Sequence, residues 1–189
     1  MRIVAGALRG RALKGPKSQA VRPTSDRLRE SIFDILAHAY GDAVRGAAVL
    51  DLFAGTGALG LEAISRGAAR ALFVDNGAEA RALLRENVEA LGLGGVTRVF
   101  RRDATKLGQA PPGECFSLAF LDPPYGQGLA TPALAELARG GWLADDALVV
   151  IEEDASAAVI LPEGLRLEEQ RRYGDTQIVF ARRGAVKKP

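Results

Sequence analysis

Short apolar runs alternate with amphipathic stretches along most of this chain. After residue 46, runs typical of buried strands occur at 47–52, 71–74, 96–100, 116–121 and 147–151. The segments between them have helical spacing of apolar residues at 58–66, 79–91 and 129–139. Strands that alternate with helices predict βαβ units and therefore a parallel sheet with right-handed crossovers.

The two ends of the chain follow other patterns. The first residues predict a short hairpin or extended arm, and a helix is predicted to begin at Thr24 or Ser25, either of which is a good N-cap. Late in the chain, runs at 165–172 and 177–182 flank a Tyr-Gly-Asp-Thr turn, which is typical of a β-hairpin. The predicted fold is α/β: a doubly wound, mostly parallel sheet with an antiparallel C-terminal hairpin strand.

Composition narrows the class of protein. A chain of 189 residues, 48% of them hydrophobic, suffices for one well-cored domain. No apolar stretch approaches the roughly 20 residues of a membrane span, so no membrane partner is expected. The single cysteine, Cys115, excludes an internal disulfide and fits a reducing, cytoplasmic setting. The single histidine, His38, argues against a histidine metal site or a Ser-His-Asp triad, and no metal is expected.

Charge is distributed unevenly. Residues 1–30 contain eight Lys/Arg and two acidic residues, a surplus of six positive charges. The whole chain is only +2, so the remainder is −4. The chain divides into a basic N-terminal arm or hairpin (1–23), an α/β domain (24–183) and a short tail (184–189). The basic arm indicates a polyanionic partner, with nucleic acid the first candidate. A solvated terminal segment is the alternative. Because the predicted sheet begins only at residue 47, deletion of 1–21 is expected to spare the fold.

A glycine-rich loop follows the first strand. Gly55 and Gly57 belong to a G-x-G-x-x-G pattern, and Asp75 follows Gly55 by 20 residues, as in dinucleotide sites. Asp51, however, ends the strand, where it would repel a pyrophosphate and attract the α-ammonium of S-adenosylmethionine. Asp103, after the third strand, is suited to accept a hydrogen bond from the adenine amino group. A plain tight turn is the alternative interpretation of the glycines.

A second motif, Asp122-Pro-Pro-Tyr, ends the fourth strand. The two prolines predict a stiff, non-helical bracket. The Asp122 carboxylate and the Pro123 carbonyl are placed to accept the N–H bonds of an exocyclic amine, and Tyr125 to stack on its base. We call residues 122–125 the clamp. The alternative is a rigid turn with a packing tyrosine.

Several stretches resemble a known family. "LDLFAGTGALG" resembles the cofactor loop of S-adenosylmethionine-dependent methyltransferases of Rossmann-like fold, and "LDPPY" resembles the motif of their amino-methylating members. "MRIVAGALRGRALKGP", "RPTSDRLRESIFDIL" and "YGDT" are similar to the bacterial 16S ribosomal RNA guanine-N2 methyltransferase family (RsmD-like). This second resemblance covers nearly the whole chain.

The resemblance implies a monomeric enzyme that uses S-adenosylmethionine to methylate a guanine N2 in 16S ribosomal RNA or the small ribosomal subunit. It implies further cofactor contacts and a set of substrate contacts. The cofactor contacts are Phe53, Asn76 and Ala104, and the substrate contacts are Arg9, Arg11, Arg22, Thr24 and Arg27.

Other functions are weighed against this one. A DNA amino-methyltransferase and a protein glutamine methyltransferase belong to the same class; the former usually needs a large target-recognition domain, and the latter prefers Asn at the position of Asp122. A nicotinamide-dependent oxidoreductase would explain the glycines but neither Asp51 nor the clamp. A non-enzymatic RNA-binding domain would explain the charge but not the three acids.

Overall fold

The computed structural model describes residues 1–16 and 25–184. The helices are α1 (Asp26–His38), α2 (Ala58–Ser65), α3 (Ala78–Leu91) and α4 (Ala130–Arg139), with a 3-10 turn at Ala104–Lys106. The strands are β1 (Ala48–Leu52), β2 (Arg70–Val74), β3 (Thr97–Phe100), β4 (Phe116–Leu121), β5 (Leu143–Asp154), β6 (Leu165–Tyr173) and β7 (Thr176–Arg183). None of the helices among these residues combines the length and apolar character that a membrane span requires.

The strands form one seven-stranded sheet in the order β3-β2-β1-β4-β5-β7-β6. The first five are mutually parallel, whereas β7 runs antiparallel to both β5 and β6. The predicted fold class is therefore confirmed. Strand β5 is longer than the predicted 147–151, because Leu143 also pairs with Phe116 across a shift in register, and the far end continues against β7 to Asp154. The extra residues at this shift belong to β5, which runs from Leu143 to Leu148 while β4 advances from Phe116 to Leu118.

Both faces of the sheet are covered. Alternate residues of β1 enter different cores: Val49 packs with α1, α2 and α3, whereas Leu50 packs with α4 and the 3-10 turn. The central strands are therefore apolar on both sides, as expected for a parallel sheet covered by helices.

Helix α1 begins where its sequence indicates. The Ser25 hydroxyl accepts a hydrogen bond from the Leu28 N–H at 3.1 Å, which satisfies one of the free donors of the first turn. Thr24, the other predicted start, lies outside the described residues. The buried face of α1 includes a charged residue that periodicity did not predict: Arg29 is 0% exposed.

The basic N-terminus is a hairpin that forms part of the core. An isolated antiparallel bridge joins Arg2 to Ala12, and Ile3 and Leu13 lie in the core cluster beneath the hairpin. Ile3 is 0% exposed. The expectation that residues 1–21 can be deleted without affecting the fold is therefore wrong, because it rested on where the sheet begins and ignored these two apolar residues.

A buried ion pair fixes this hairpin to α1 and α2. Both oxygens of Glu62 accept backbone N–H bonds from the hairpin, from Val4 at 2.8 Å and Ala5 at 3.0 Å. Arg29 Nε lies 3.5 Å from Glu62 Oε2, and Arg66 Nε donates to Oε1 at 2.7 Å. Both Arg29 and Glu62 are fully buried, so removal of either would leave the other buried charge with a single ionic partner among the described residues, Arg66 for Glu62 and Asp26 for Arg29.

The hairpin's role in the core predicts a specific loss of stability. Ile3→Ala should lower the free energy of unfolding by about 2–5 kcal/mol, since it deletes a fully buried aliphatic side chain. Ile160→Ala is the matched control, because Ile160 is 63% exposed, and should change stability by less than about 0.5 kcal/mol. Urea unfolding of both variants measures the difference. Equal, small changes would show that the hairpin adds little to the core.

Candidate active site

The carboxyl ends of β1, β2 and β4 open into a pocket of about 610 Å³. Asp51, Asp75, Asp122 and Tyr125 line it, and Met1 and Pro16 of the N-terminal segment line it as well. Ligands bind at this edge in open α/β sheets. The structure thus brings the predicted cofactor loop and the predicted clamp to one cavity.

Close packing explains two glycines of the loop. A Cβ on Gly60 would lie 2.4 Å from the Phe73 ring, and the Gly60 N–H donates to Asp51 Oδ2 at 2.9 Å. Gly57, with φ 80°, begins α2, and a Cβ there would lie 2.3 Å from Leu84. A larger residue at Gly60 would have to displace the Phe73 ring, and one at Gly57 would have to displace the Leu84 side chain and adopt a strained left-handed backbone.

Asp75 organises the loop from the end of β2. Its Oδ2 accepts from the Gly55 N–H at 2.9 Å and its Oδ1 from the Gly77 N–H at 2.7 Å. Each oxygen keeps a second lone pair, so the carboxylate can hold the loop and still accept a ligand hydroxyl. Phe53 and Asn76 also line the pocket, and Phe53 adopts a left-handed φ of 58°, a strained conformation typical of functional sites.

Asp51 is a strongly perturbed acid of the pocket. It is 1% exposed. Burial is the main cause that raises its pKa to about 8; the Gly60 N–H works in the opposite direction, and the nearby Asp75 adds a smaller upward contribution. A cation placed beside Asp51 would favour its charged form.

The clamp continues directly from β4. The Asp122 N–H donates to the Leu52 carbonyl at 3.4 Å, which continues the contact between β4 and β1 to the clamp's first residue. Pro123 is buried and Pro124 exposed. All four clamp residues line the pocket, so the acid, the two prolines and the tyrosine belong to one cavity.

The Tyr125 hydroxyl has partners that sequence reasoning did not find. It lies 3.0 Å from Glu152 Oε1 and 3.0 Å from Thr176 Oγ1. Burial, together with the charges of Glu152 and Asp122, raises the pKa of this phenol, so it stays protonated. The available signal was indirect: Thr176 belongs to the Tyr-Gly-Asp-Thr turn, which the sequence analysis used as a hairpin turn and as part of the family resemblance, without a role at the pocket.

Asn87 connects the N-terminal segment to the glycine loop. Its Oδ1 accepts from the Lys14 N–H at 2.8 Å, and its Nδ2 donates to the Lys14 and Thr56 carbonyls at 3.1 and 3.0 Å. Asn87 is 1% exposed. A polar residue on the apolar face of α3, between Leu84 and Leu91, was the signal that could have identified it.

Other predicted residues lie away from the pocket lining. Asp103 accepts from the backbone and the hydroxyl of Thr105, at 2.9 and 2.7 Å, which lowers the Asp103 pKa. Asp103, Ala104 and Gly57 do not line the cavity, and an adenine contact of Asp103 stays a prediction. Among the described residues, no cluster of three or more His, Cys, Asp or Glu side chains could hold a metal.

The predicted substrate residues lie on the surface where they are described. Arg9, Arg11 and Arg27 are exposed, and Arg11 Nη2 donates to the Ala90 carbonyl at 2.6 Å. Arg22 and Thr24 lie outside the described residues.

Comparisons with known proteins agree with this geometry. The model of a family described as "Conserved hypothetical protein 95" matches residues 1–182. The chain is 40% identical to "Ribosomal RNA small subunit methyltransferase D" of Escherichia coli (strain K12) over 154 residues, which cover 82% of this chain and 75% of the relative. It is 33% identical to the Haemophilus influenzae protein of the same name over 178 residues, covering 92% and 89%. Among solved structures, "Putative methyltransferase yhhF" from Escherichia coli superposes with a TM-score of 0.85 at 35% identity, covering 98% of this chain and 99% of that one.

The buried Asp51 predicts an unusual pH dependence of stability. Its pKa of about 8 in the folded protein lies above the value of about 3.9 for an unfolded Asp. The folded state therefore holds a proton that the unfolded chain has lost, and this group makes stability fall as pH rises from about 4 to about 8. Asp51→Asn can still accept the Gly60 N–H bond and should remove this part of the decline in the free energy of unfolding. Urea unfolding measured across this pH range tests it.

Asp103→Asn provides a control of opposite sign. Because folding lowers the pKa of Asp103, this group's contribution to stability is present above the pKa of an unfolded Asp and is lost as pH falls. Parallel stability curves for the native chain and Asp51→Asn would contradict the assignment for Asp51.

Proposed function

This chain belongs to the RsmD-like methyltransferase family described as "Conserved hypothetical protein 95", and we propose on that basis that it transfers the methyl group of S-adenosylmethionine to the exocyclic N2 amine of a guanine in 16S ribosomal RNA. The observation that carries the proposal is that one cavity is lined by the acids of the glycine loop and by the clamp. The substrate class is that named for the two relatives, ribosomal RNA of the small subunit.

The pocket residues fit S-adenosylmethionine better than a dinucleotide. Asp51 is buried at the cavity beside the start of α2, where a dinucleotide would place its pyrophosphate. A buried acid there favours an ammonium group, which stabilises its charged form, and it offers a phosphate no positive partner. Asp75, with a lone pair left on each oxygen, is suited to the ribose hydroxyls.

The exocyclic amine of guanine is a weak nucleophile, because its lone pair is delocalised into the ring. The clamp compensates for this weakness. Asp122 and the Pro123 carbonyl each accept one N–H, which turns the nitrogen lone pair toward the methyl group and stabilises the positive charge that develops on nitrogen. When bound, the cofactor supplies a methyl group already activated as a sulfonium. Alignment of the two partners by the pocket then supplies much of the acceleration.

The substrate must present an unpaired base. A guanine inside a helix cannot reach a clamp at the bottom of a pocket, so the target nucleotide is splayed out or flipped. Exposed arginines of the hairpin and of α1, Arg9 and Arg27, lie on the N-terminal part of the chain that also lines the pocket through Met1. We assign them to the RNA backbone around the target.

Loss of the clamp carboxylate should abolish RNA methylation. Asp122→Ala should reduce turnover to near background, whereas Asp145→Ala, which removes an exposed carboxylate near the amino end of β5, should not. Mapping of methylated guanines in 16S ribosomal RNA with each variant measures this. A modified base other than guanine, or methylation of DNA or protein in its place, would contradict the proposal.

Calorimetry measures ligand binding by the Asp122→Ala variant and the native chain. Asp122→Ala should bind S-adenosylmethionine with nearly unchanged affinity, and the native chain should not bind NAD, because Asp51 offers a pyrophosphate no positive partner. Tight NAD binding would favour an oxidoreductase.

The surface arginines predict how RNA binding depends on salt. Replacement of Arg9 and Arg27 by Glu should weaken RNA binding and reduce the slope of log affinity against log salt by about one per lost phosphate contact. Arg45→Glu is the control, because Arg45 is exposed but precedes β1 at the opposite edge of the sheet. Filter binding over a range of salt concentrations measures the slopes, and equal slopes for all variants would exclude these arginines from the interface.

A further inference from the structure

The Tyr-Gly-Asp-Thr turn between β6 and β7 contacts the clamp directly. Thr176 is the last residue of that turn and the first residue of β7, and its Oγ1 lies 3.0 Å from the Tyr125 hydroxyl. The second partner, Glu152 on β5, is also 3.0 Å away. The two contacts join residues that are 51 and 27 positions apart in the chain.

The direction of these hydrogen bonds follows from the number of protons available. A phenol has one proton, and a carboxylate can only accept, so the Tyr125 O–H donates to Glu152. The Tyr125 oxygen can then only accept from Thr176, which makes the threonine hydroxyl the donor of the second bond. The result is a chain from Thr176 through Tyr125 to Glu152.

Burial makes this chain rigid. Glu152 is 5% exposed and Thr176 is 6% exposed. Both belong to the long antiparallel ladder between β5 and β7, in which Glu152 pairs with Ile178 and Asp154 with Thr176. Tyr125, by contrast, lies in a turn followed by Gly126, with φ 73°, so its own backbone does little to fix the ring.

We propose that Thr176 and Glu152 are positioning residues that hold the Tyr125 ring at the pocket, so that the C-terminal hairpin determines how the clamp presents its aromatic face to the target base. This inference rests on the proposed function, because it assigns the ring to the substrate. It gives the Tyr-Gly-Asp-Thr turn a function beyond joining β6 to β7 in the sheet. The hydroxyl of Tyr125 takes no part in the chemistry: it anchors the ring.

The test compares variants that remove one hydroxyl at a time. Thr176→Val keeps the shape of the side chain and removes the donor, Thr176→Ser restores it, and Tyr125→Phe removes the acceptor. Thr176→Val and Tyr125→Phe should each lower kcat/KM for small-subunit RNA by about five- to thirty-fold, while Thr176→Ser stays within about threefold of the native chain. Because the hydroxyls act as one unit, the double variant should be no worse than Tyr125→Phe alone.

Thr97→Val separates positioning from general stability. Thr97 is another buried threonine, 9% exposed, whose hydroxyl donates to the Leu93 carbonyl at 2.8 Å, and it lies at the amino end of β3, away from the clamp. The Thr97→Val variant should lower the melting temperature as Thr176→Val does, and it should leave kcat/KM unchanged. All variants should keep the cofactor affinity of the native chain within about twofold.

Amide hydrogen exchange gives a readout that does not depend on methylation. Exchange in residues 122–128 should rise in Thr176→Val and Tyr125→Phe and should stay at the native level in Thr97→Val and Thr176→Ser. If the native chain itself methylates no RNA, the proposed function fails, and the exchange data still decide whether Thr176 holds Tyr125. Native kcat/KM with native exchange in Thr176→Val, or fully additive losses in the double variant, would overturn the inference.

Discussion

The parallel register of β1, β2 and β4 is the constraint on which the site depends. Parallel strands end at the same edge of a sheet, and pairing fixes which residues lie side by side there: Asp51 is opposite Phe73 on one neighbour and Phe120 on the other. The chain leaves that edge through Asp75 after β2 and through Asp122 after β4. A glycine loop and a proline bracket that are 62 residues or more apart in sequence therefore share one cavity. A slip of one residue in β1 would turn Asp51 to the other face and remove it from the pocket.

The N-terminal hairpin shows how a surface segment becomes part of that site. Ile3 and Leu13 give it a place in the core, Glu62 satisfies its backbone donors, and Asn87 connects it to the glycine loop. Basic residues on its outer side can then meet a polyanion, while Met1 lines the pocket on its inner side. A detached basic arm would attract RNA equally well, but it would lose conformational entropy each time it bound. The packed hairpin has already lost that entropy during folding.

Much of this could be predicted from sequence, because the signals were local. The βαβ alternation, the N-cap at Ser25 and the carboxylates at the carboxyl ends of β1, β2 and β4 all follow from patterns within about fifteen residues. What could not be predicted depends on partners distant in sequence. Arg29 looks like an exposed helix charge until Glu62, on another helix, makes its burial possible, and the Tyr125 hydroxyl looks free until β5 and β7 bring its two partners. The periodicity of apolar residues indicates which face of a helix or strand is buried, but it does not identify the residues that pack against that face.

Asp51 illustrates how a binding site can conflict with stability. Burial beside Asp75 makes a charged carboxylate unfavourable in the folded protein, and a neutral residue of the same shape would suit the interior better. The same burial makes the acid selective: a cationic group entering the pocket favours its charged form and gains a poorly solvated partner, whereas an anionic group gains no opposite charge there. An exposed Asp at the mouth of the pocket would stabilise the fold more and discriminate less. The position of Asp51 under the start of α2, held there by the Gly60 N–H, therefore argues that ligand selectivity, rather than stability, accounts for the acid in β1.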